Sequence, residues 1–165
     1  MSDLAAALQI AIKVHADQRD KQGEPYLLHV LRVVNAVEGE RAKVLAALHD
    51  VMEDAVVVPS LEETFEENGM WIENSVEVLT RSPKETYAEY IQGIRDGHSS
   101  TWVAEIREVK LADLRDNLSR IPPGPYNECG GREDSGGEGS MAAYEPNWRS
   151  LKARYEKAIA TLEAA

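Results

Sequence analysis

The stretch Ala46-Ala47-Leu48-His49-Asp50-Val51-Met52-Glu53-Asp54 decides how this chain reads. Val44, Leu45, Ala47, Leu48, Val51 and Met52 recur at helical intervals, and Gly39-Glu40 offers a start, so one helix is expected over residues 39–54. Glu53 follows His49 by four residues, and Asp54 follows Asp50 by four. On a continuous helix that spacing stacks side chains on one face, and the four polar groups should form a single patch. A solvated helix face has the same pattern. Here, however, the apolar neighbours leave few exposed positions, and charged groups in such surroundings need partners or a metal.

Working outward, two further segments carry ligand-type residues. His29 lies in a helical stretch expected near residues 26–38. Asp113 lies in Val109-Lys110-Leu111-Ala112-Asp113-Leu114-Arg115-Asp116-Asn117, with Asn117 one turn on as a neutral hydrogen-bonding arm. Two imidazoles and two carboxylates suit a divalent ion such as Mn, Fe, Co or Zn with positions left open for water and substrate, which points to metal-assisted hydrolysis. Lys110, Arg115 and Asp116 read as a charged face in water. His15, on the apolar stripe of the first helix, reads as a core or supporting histidine, and His98 as an exposed turn residue.

The remaining elements are also helical. A helix is expected over 3–19, followed by a loop punctuated by Gly23 and Pro25. Val56-Val57-Val58-Pro59 reads as an apolar linker. Ser60-Leu61-Glu62-Glu63 has the form of a capping box opening a helix to 68, and Gly69 precedes another over 71–79. Ser82-Pro83-Lys84-Glu85 has the same form and should open a helix to 95. Ser99, Ser100 or Thr101 should cap a helix running to 121, which Pro122-Pro123 stops. Residues 122–140, rich in Gly, Pro and Ser, read as a mobile loop. A last helix over 141–162 should pack Trp148, Leu151, Tyr155 and Ile159. The expectation is a single all-α domain spanning residues 1–165, with seven or eight helices.

Charge and composition narrow the function. The 29 acidic against 18 basic residues give a formal net charge of −11. That argues against a nucleic-acid surface, which needs a basic face. An anionic small substrate needs a local cluster of cations acting against the overall field. Arg19 and Lys21 before His29, and Arg115 and Arg120 near Asp113, are the candidates to bind phosphate oxygens. No apolar run is long enough to span a membrane and no export signal is visible, so a cytoplasmic location is expected. The single cysteine, Cys129, fits a reducing compartment.

Taken jointly, these motifs resemble a known family. Gly23-Glu24-Pro25-Tyr26-Leu27-Leu28-His29, Leu48-His49-Asp50-Val51-Met52-Glu53-Asp54 and Val109 to Asn117, with His15-Ala16-Asp17-Gln18 upstream, resemble the HD-domain metal-dependent phosphohydrolases. The likeness is strongest to the (p)ppGpp hydrolase domain of RelA/SpoT-type enzymes and their small stand-alone homologues. The resemblance implies a Mn(II) ion held by His29, His49, Asp50 and Asp113. It implies that Glu53 and Asp54 handle the nucleophilic water, that Asn117 contacts the nucleotide, and that the 3′-diphosphate of (p)ppGpp or a related nucleotide is removed. Two departures fall where the base is read: Asp20-Lys21 stands where the family often has Arg-Lys, with Arg19 one place earlier, and Arg120 comes one place late after Asn117. Hydrolysis of another nucleotide, a monophosphate or NADPH, is the alternative activity. A non-catalytic nucleotide-sensing domain is the alternative class.

Overall fold

Ser2 accepts the Ala5 N–H and opens α1 (Asp3–Val14), whose buried stripe is Ala7, Ile10 and Ala11. The structure, a computed structural model, describes residues 2–54, 60–65, 68–97, 102–121 and 148–164. Helix α1 ends five residues before the expected limit. Asp20 supplies one reason: its Oδ1 accepts the N–H groups of Gln22 and Glu24, both at 2.9 Å, offering the backbone a turn in place of a helix. Gly23, at φ +84°, takes the left-handed position in that turn, and Arg19 bridges to Pro25.

Helix α2 (Leu27–Ala36) buries Val30, Val33 and Val34 together with His29. After Val37 and Glu38 comes α3 (Gly39–Leu48), which buries Ala42 and every residue from Val44 to Leu48. A helix apolar around most of its circumference belongs at the centre, and α3 packs against α1, α2, α6 and α8. The expected single helix over 39–54 is interrupted: α3 stops at Leu48, His49 and Asp50 form a turn, and α4 (Val51–Asp54) follows as one short turn. The unbroken helix that the expected four-residue stacking presumes is absent here, and Glu53 is exposed with its Oε1 accepting the Arg81 N–H.

Ser60 accepts the Glu63 N–H as expected and opens α5 (Leu61–Thr64). Helix α6 (Gly69–Leu79) starts two residues earlier than expected, on a glycine at which a Cβ would lie 2.1 Å from the Glu62 carbonyl oxygen. That close approach requires glycine. The next helix, α7 (Tyr87–Asp96), is capped by Thr86, not Ser82: Thr86 and Glu89 exchange both capping-box bonds. Glu85 does reach back to the Ser82 N–H at 2.6 Å, but only a turn forms there. Helices α8 (Val103–Ser119) and α9 (Trp148–Glu163) complete the described fold, α9 burying Ala158 and Leu162 against α7 and α8. Tyr155 and Ile159 pack partly buried on the core as expected.

The fold is all-α, with nine helical segments among the described residues; the ninth arises from the break at His49 and Asp50. The linker at 56–59, the candidate caps at 99–101, His98, the 122–140 loop, Cys129, the start of the last helix and the side chains of Asp54 and Trp148 lie outside the described residues. No helix among the described residues is long and apolar enough to cross a membrane.

The two overlapping box patterns give a direct test. Thr86→Ala should destabilise the protein by about 1 kcal/mol, whereas Ser82→Ala should cost less than about 0.5 kcal/mol. Urea unfolding of both variants measures the difference, and equal losses would assign the cap wrongly.

Candidate metal centre and its cleft

Helices α2, α3 and α8 pack on one another in all three pairings, and at their junction they bring His29, His49, Asp50 and Asp113 together. His29 Nε2 lies 3.2 Å from His49 Nε2 and 3.4 Å from Asp113 Oδ1. His49 Nε2 lies 2.9 Å from Asp50 Oδ2. The longer separations are 3.8 Å, His29 to Asp50, and 3.9 Å, His49 to Asp113. His49, just past the end of α3, keeps helical dihedrals at φ −57° and ψ −31°, and its Nε2 meets the carboxylate of the next residue, Asp50.

The outer hydrogen bonds say which inner atoms carry lone pairs. His49 Nδ1 is 2.8 Å from the Ala46 carbonyl, which only accepts, so that nitrogen carries the hydrogen. His29 Nδ1 is 2.7 Å from the Asp116 carboxylate, and the same inference applies. Both Nε2 atoms then present lone pairs to each other and to two carboxylates. Tyr26 donates its hydroxyl to Asp50, Asn117 donates to Asp113 Oδ1, and Lys110 donates to Asp113 Oδ2 at 2.8 Å. These donors do not remove the need for a cation at the middle.

Protons supply that cation when nothing else does. Burial alone would push the His49 imidazole down, but Asp50 and Asp113 beside it reverse this and hold it up at about 9. Burial would raise the Asp50 carboxyl, and His49 outweighs it, holding Asp50 at about 2. Asp113 is likewise favoured by burial toward its neutral form, yet Lys110 and the two imidazoles keep it well below the usual carboxylate range. His29 is raised, its hydrogen bond with Asp113 overcoming desolvation.

The donor set fits a divalent ion. Ligands ~2.0–2.2 Å from a common centre lie about 3–3.6 Å apart when adjacent, close to the separations here. Ligand atoms of His29, His49 and Asp50 all fall within 4.8 Å of one another, with Asp113 joining through its histidine contacts. Mixed imidazole and carboxylate donors suit Mn, Fe, Co or Zn.

Above the centre lies a cleft of about 500 Å³. Its walls include all four residues expected to bind substrate, Arg19, Lys21, Asn117 and Arg120, together with Glu53. Lys21 is exposed on it. Arg120 is more committed than the sequence suggests, donating to Asp20 and Glu24, each at 2.7 Å. Arg19 donates to the Gly23 carbonyl at 2.8 Å. Glu53 is exposed and its Oε1 accepts the Arg81 N–H at 3.2 Å.

Sequence reading missed several wall residues. Arg81, Tyr87, Tyr90, Arg154 and Tyr155 face the cleft, with the Arg154 guanidinium 4.8 Å from the centroid of Tyr87. Lys110 and Asp116 are not in open water: their side chains are 13% and 11% exposed and both engage the centre. Helical spacing from Asp113, three residues back and three forward, was the signal for both. Arg115 is exposed, as the charged-face reading expects, but it pairs with Glu163 and is not among the described residues lining the cleft, so the expectation that it binds phosphate there is not met. His15 is buried and packs its ring 5.1 Å from Tyr26, in a supporting place. Among the described residues, Arg19, Lys21, Arg81, Lys110, Arg120 and Arg154 outnumber the cleft carboxylates Asp20, Asp50, Glu53 and Asp113, so this lining is locally basic in a chain of −11.

No family model matches the chain. It is 29% identical over 143 residues, 75% of its length, to a putative GTP diphosphokinase RSH1, chloroplastic, from Arabidopsis thaliana. It is also 29% identical over 128 residues, 72% of its length, to a probable guanosine-3′,5′-bis(diphosphate) 3′-pyrophosphohydrolase from Synechocystis sp.. These matches support a RelA/SpoT-related family. The chain spans 16% of the length of each of these relatives.

A pH prediction follows from the centre. The folded His49 value, about 9, exceeds its ordinary 6.5, so this group's contribution is complete below pH 6.5 and disappears as pH rises through 9. Asp50, held at about 2 against 3.8, contributes above 3.8 and loses that contribution as pH falls through 2. One attraction lies behind both shifts, and it counts once. Chelator-treated protein should therefore lose several degrees of melting temperature between pH 6.5 and 9, and added Mn(II) should abolish the loss. Scanning calorimetry across that range checks it; a flat profile without metal contradicts the charge assignment.

Proposed function

We propose that this chain is a divalent-metal-dependent phosphohydrolase, with Mn(II) as the working ion, that removes the 3′-diphosphate from guanosine 3′,5′-bis(diphosphate) or a closely related nucleotide. The observation that carries the reading is the meeting of His29, His49, Asp50 and Asp113 at the floor of a cleft whose walls are basic in an acidic chain. The names of the relatives supply the nucleotide class.

In this reading His29, His49, Asp50 and Asp113 hold the ion, which when bound lowers the pKa of a water and offsets charge on the phosphoryl oxygens. Lys110 holds Asp113 by its outer oxygen, and Tyr26 steadies Asp50. Glu53, on the cleft wall beside Arg81, orients the attacking water or takes its proton, with Asp54 as its partner in that work. The hydrolysis adds water across one phosphorus–oxygen bond: phosphorus takes the hydroxyl, and the 3′ oxygen leaves and takes a proton. Lys21, Arg19, Arg120 and Asn117 receive the anionic nucleotide.

Incubating the protein with Mn(II) and a panel of guanosine 3′,5′-bis(diphosphate), a guanosine monophosphate and NADPH, followed by chromatography, tests the assignment. Release of diphosphate from the first alone supports it. Turnover only of another member moves the substrate, and binding without turnover makes the domain a sensor.

The division of labour is testable by substitution. Asp113→Ala should lose metal and activity together. Glu53→Ala should keep metal and lose roughly 10²–10⁴-fold in turnover, and near-normal turnover would remove Glu53 from the mechanism. Lys21→Ala should raise KM more than it lowers kcat, with the defect shrinking as salt screens the remaining charges. A salt-independent loss confined to kcat would assign Lys21 a different part.

A further inference from the structure

His29 and His49 enter the centre through the same atom, but they are braced differently. His49 leans on the Ala46 carbonyl, one turn back in the chain. His29 reaches across to α8, where Asp116 Oδ2 lies 2.7 Å from its Nδ1. Asp116 is itself gripped: Arg32 Nε donates to its Oδ1 at 2.6 Å and Nη2 to its Oδ2 at 3.1 Å. Arg32 stands three residues after His29 on α2, and Asp116 three after Asp113 on α8. Each inner residue is thus followed, one turn on, by an outer one, and the two outer residues pair.

We propose that Asp116, held by Arg32, is the positioning residue for His29: it keeps the hydrogen on Nδ1, fixes the plane of the ring and leaves Nε2 to face the ion. The inference rests on the metal reading and adds to it two residues that do not reach the ion. A carboxylate only accepts, so it selects one tautomer of the imidazole. Arg32 occupies both carboxylate oxygens from the outside, which keeps Asp116 from swinging inward to compete as a ligand. A partly exposed ion pair by itself contributes little. This one differs because its third member, the His29 ring, is 5% exposed and fixed at the junction of three helices. The backbone carbonyl that serves His49 carries no net charge, whereas Asp116 brings a carboxylate to His29.

The test is the Mn(II) affinity of the full chain, measured by competition with a fluorescent chelator, with circular dichroism to check folding. Asp116→Asn should weaken Mn(II) binding about 10–100-fold. Arg32→Gln should weaken it less, because Asp116 keeps its bond to His29. Arg115→Gln, on the same helix but paired with Glu163, should leave it unchanged. Wild-type affinity in a folded Asp116→Asn overturns the proposal while leaving the metal centre standing. Failure of the wild-type chain to bind any divalent ion overturns both. A second measurement does not depend on the variant folding: nitrogen NMR of zinc-loaded wild-type protein should show His29 with a protonated Nδ1 and a coordinated Nε2. The reverse tautomer also overturns the proposal.

Discussion

Four electron-pair donors meet at the junction of α2, α3 and α8, and the rest of the site is arranged around that conflict. The two Nε2 atoms lie 3.2 Å apart, with carboxylate oxygens 2.9 Å and 3.4 Å away. Such a cluster in a largely buried place is unfavourable without positive charge. Protons meet the need in the metal-free chain, which explains why His49 stands at about 9 despite its burial. A divalent ion meets the same need with more charge and with defined geometry, so metal binding and release of the imidazole protons are linked.

The fold serves this centre by geometry more than by propensity. Helix α3, apolar around most of its circumference, forms the axis on which α1, α2, α6 and α8 pack. Just past its end at Leu48, the consecutive residues His49 and Asp50 meet at one point. Around them lies an outer layer of Tyr26, Lys110, Asn117, Asp116 and Arg32, each bonded to a residue of the centre or to its support. Beyond that layer the cleft wall turns basic and aromatic, the combination a phosphorylated nucleotide requires.

The ligand-type residues were legible because their chemistry is rare on apolar helical stretches, and the loop after α1 because Gly23 and Pro25 mark it. Other features were hidden for identifiable reasons. Nothing in the local pattern of residues 44–54 breaks the helical period, so the turn at His49 and Asp50 depends on partners from α2 and α8. The bond from Arg32 to Asp116 joins residues 84 apart in sequence, beyond any local pattern. Ser82 and Thr86 both begin a capping-box pattern; spacing does not choose between them, and only the second box closes. Arg120 looked available for phosphate, but its partners Asp20 and Glu24 lie about a hundred residues upstream, at separations of 100 and 96.

The central claim is that two imidazoles and two carboxylates of this chain hold one divalent ion. Electron spin-echo spectroscopy of the protein loaded with Mn(II) addresses it most directly, since nitrogen nuclei bound to the ion modulate the echo. The account predicts one ion per chain and nitrogen couplings from two histidines, one set of which disappears in His29→Ala. An ion with oxygen ligands alone, or no bound ion at all, would contradict it.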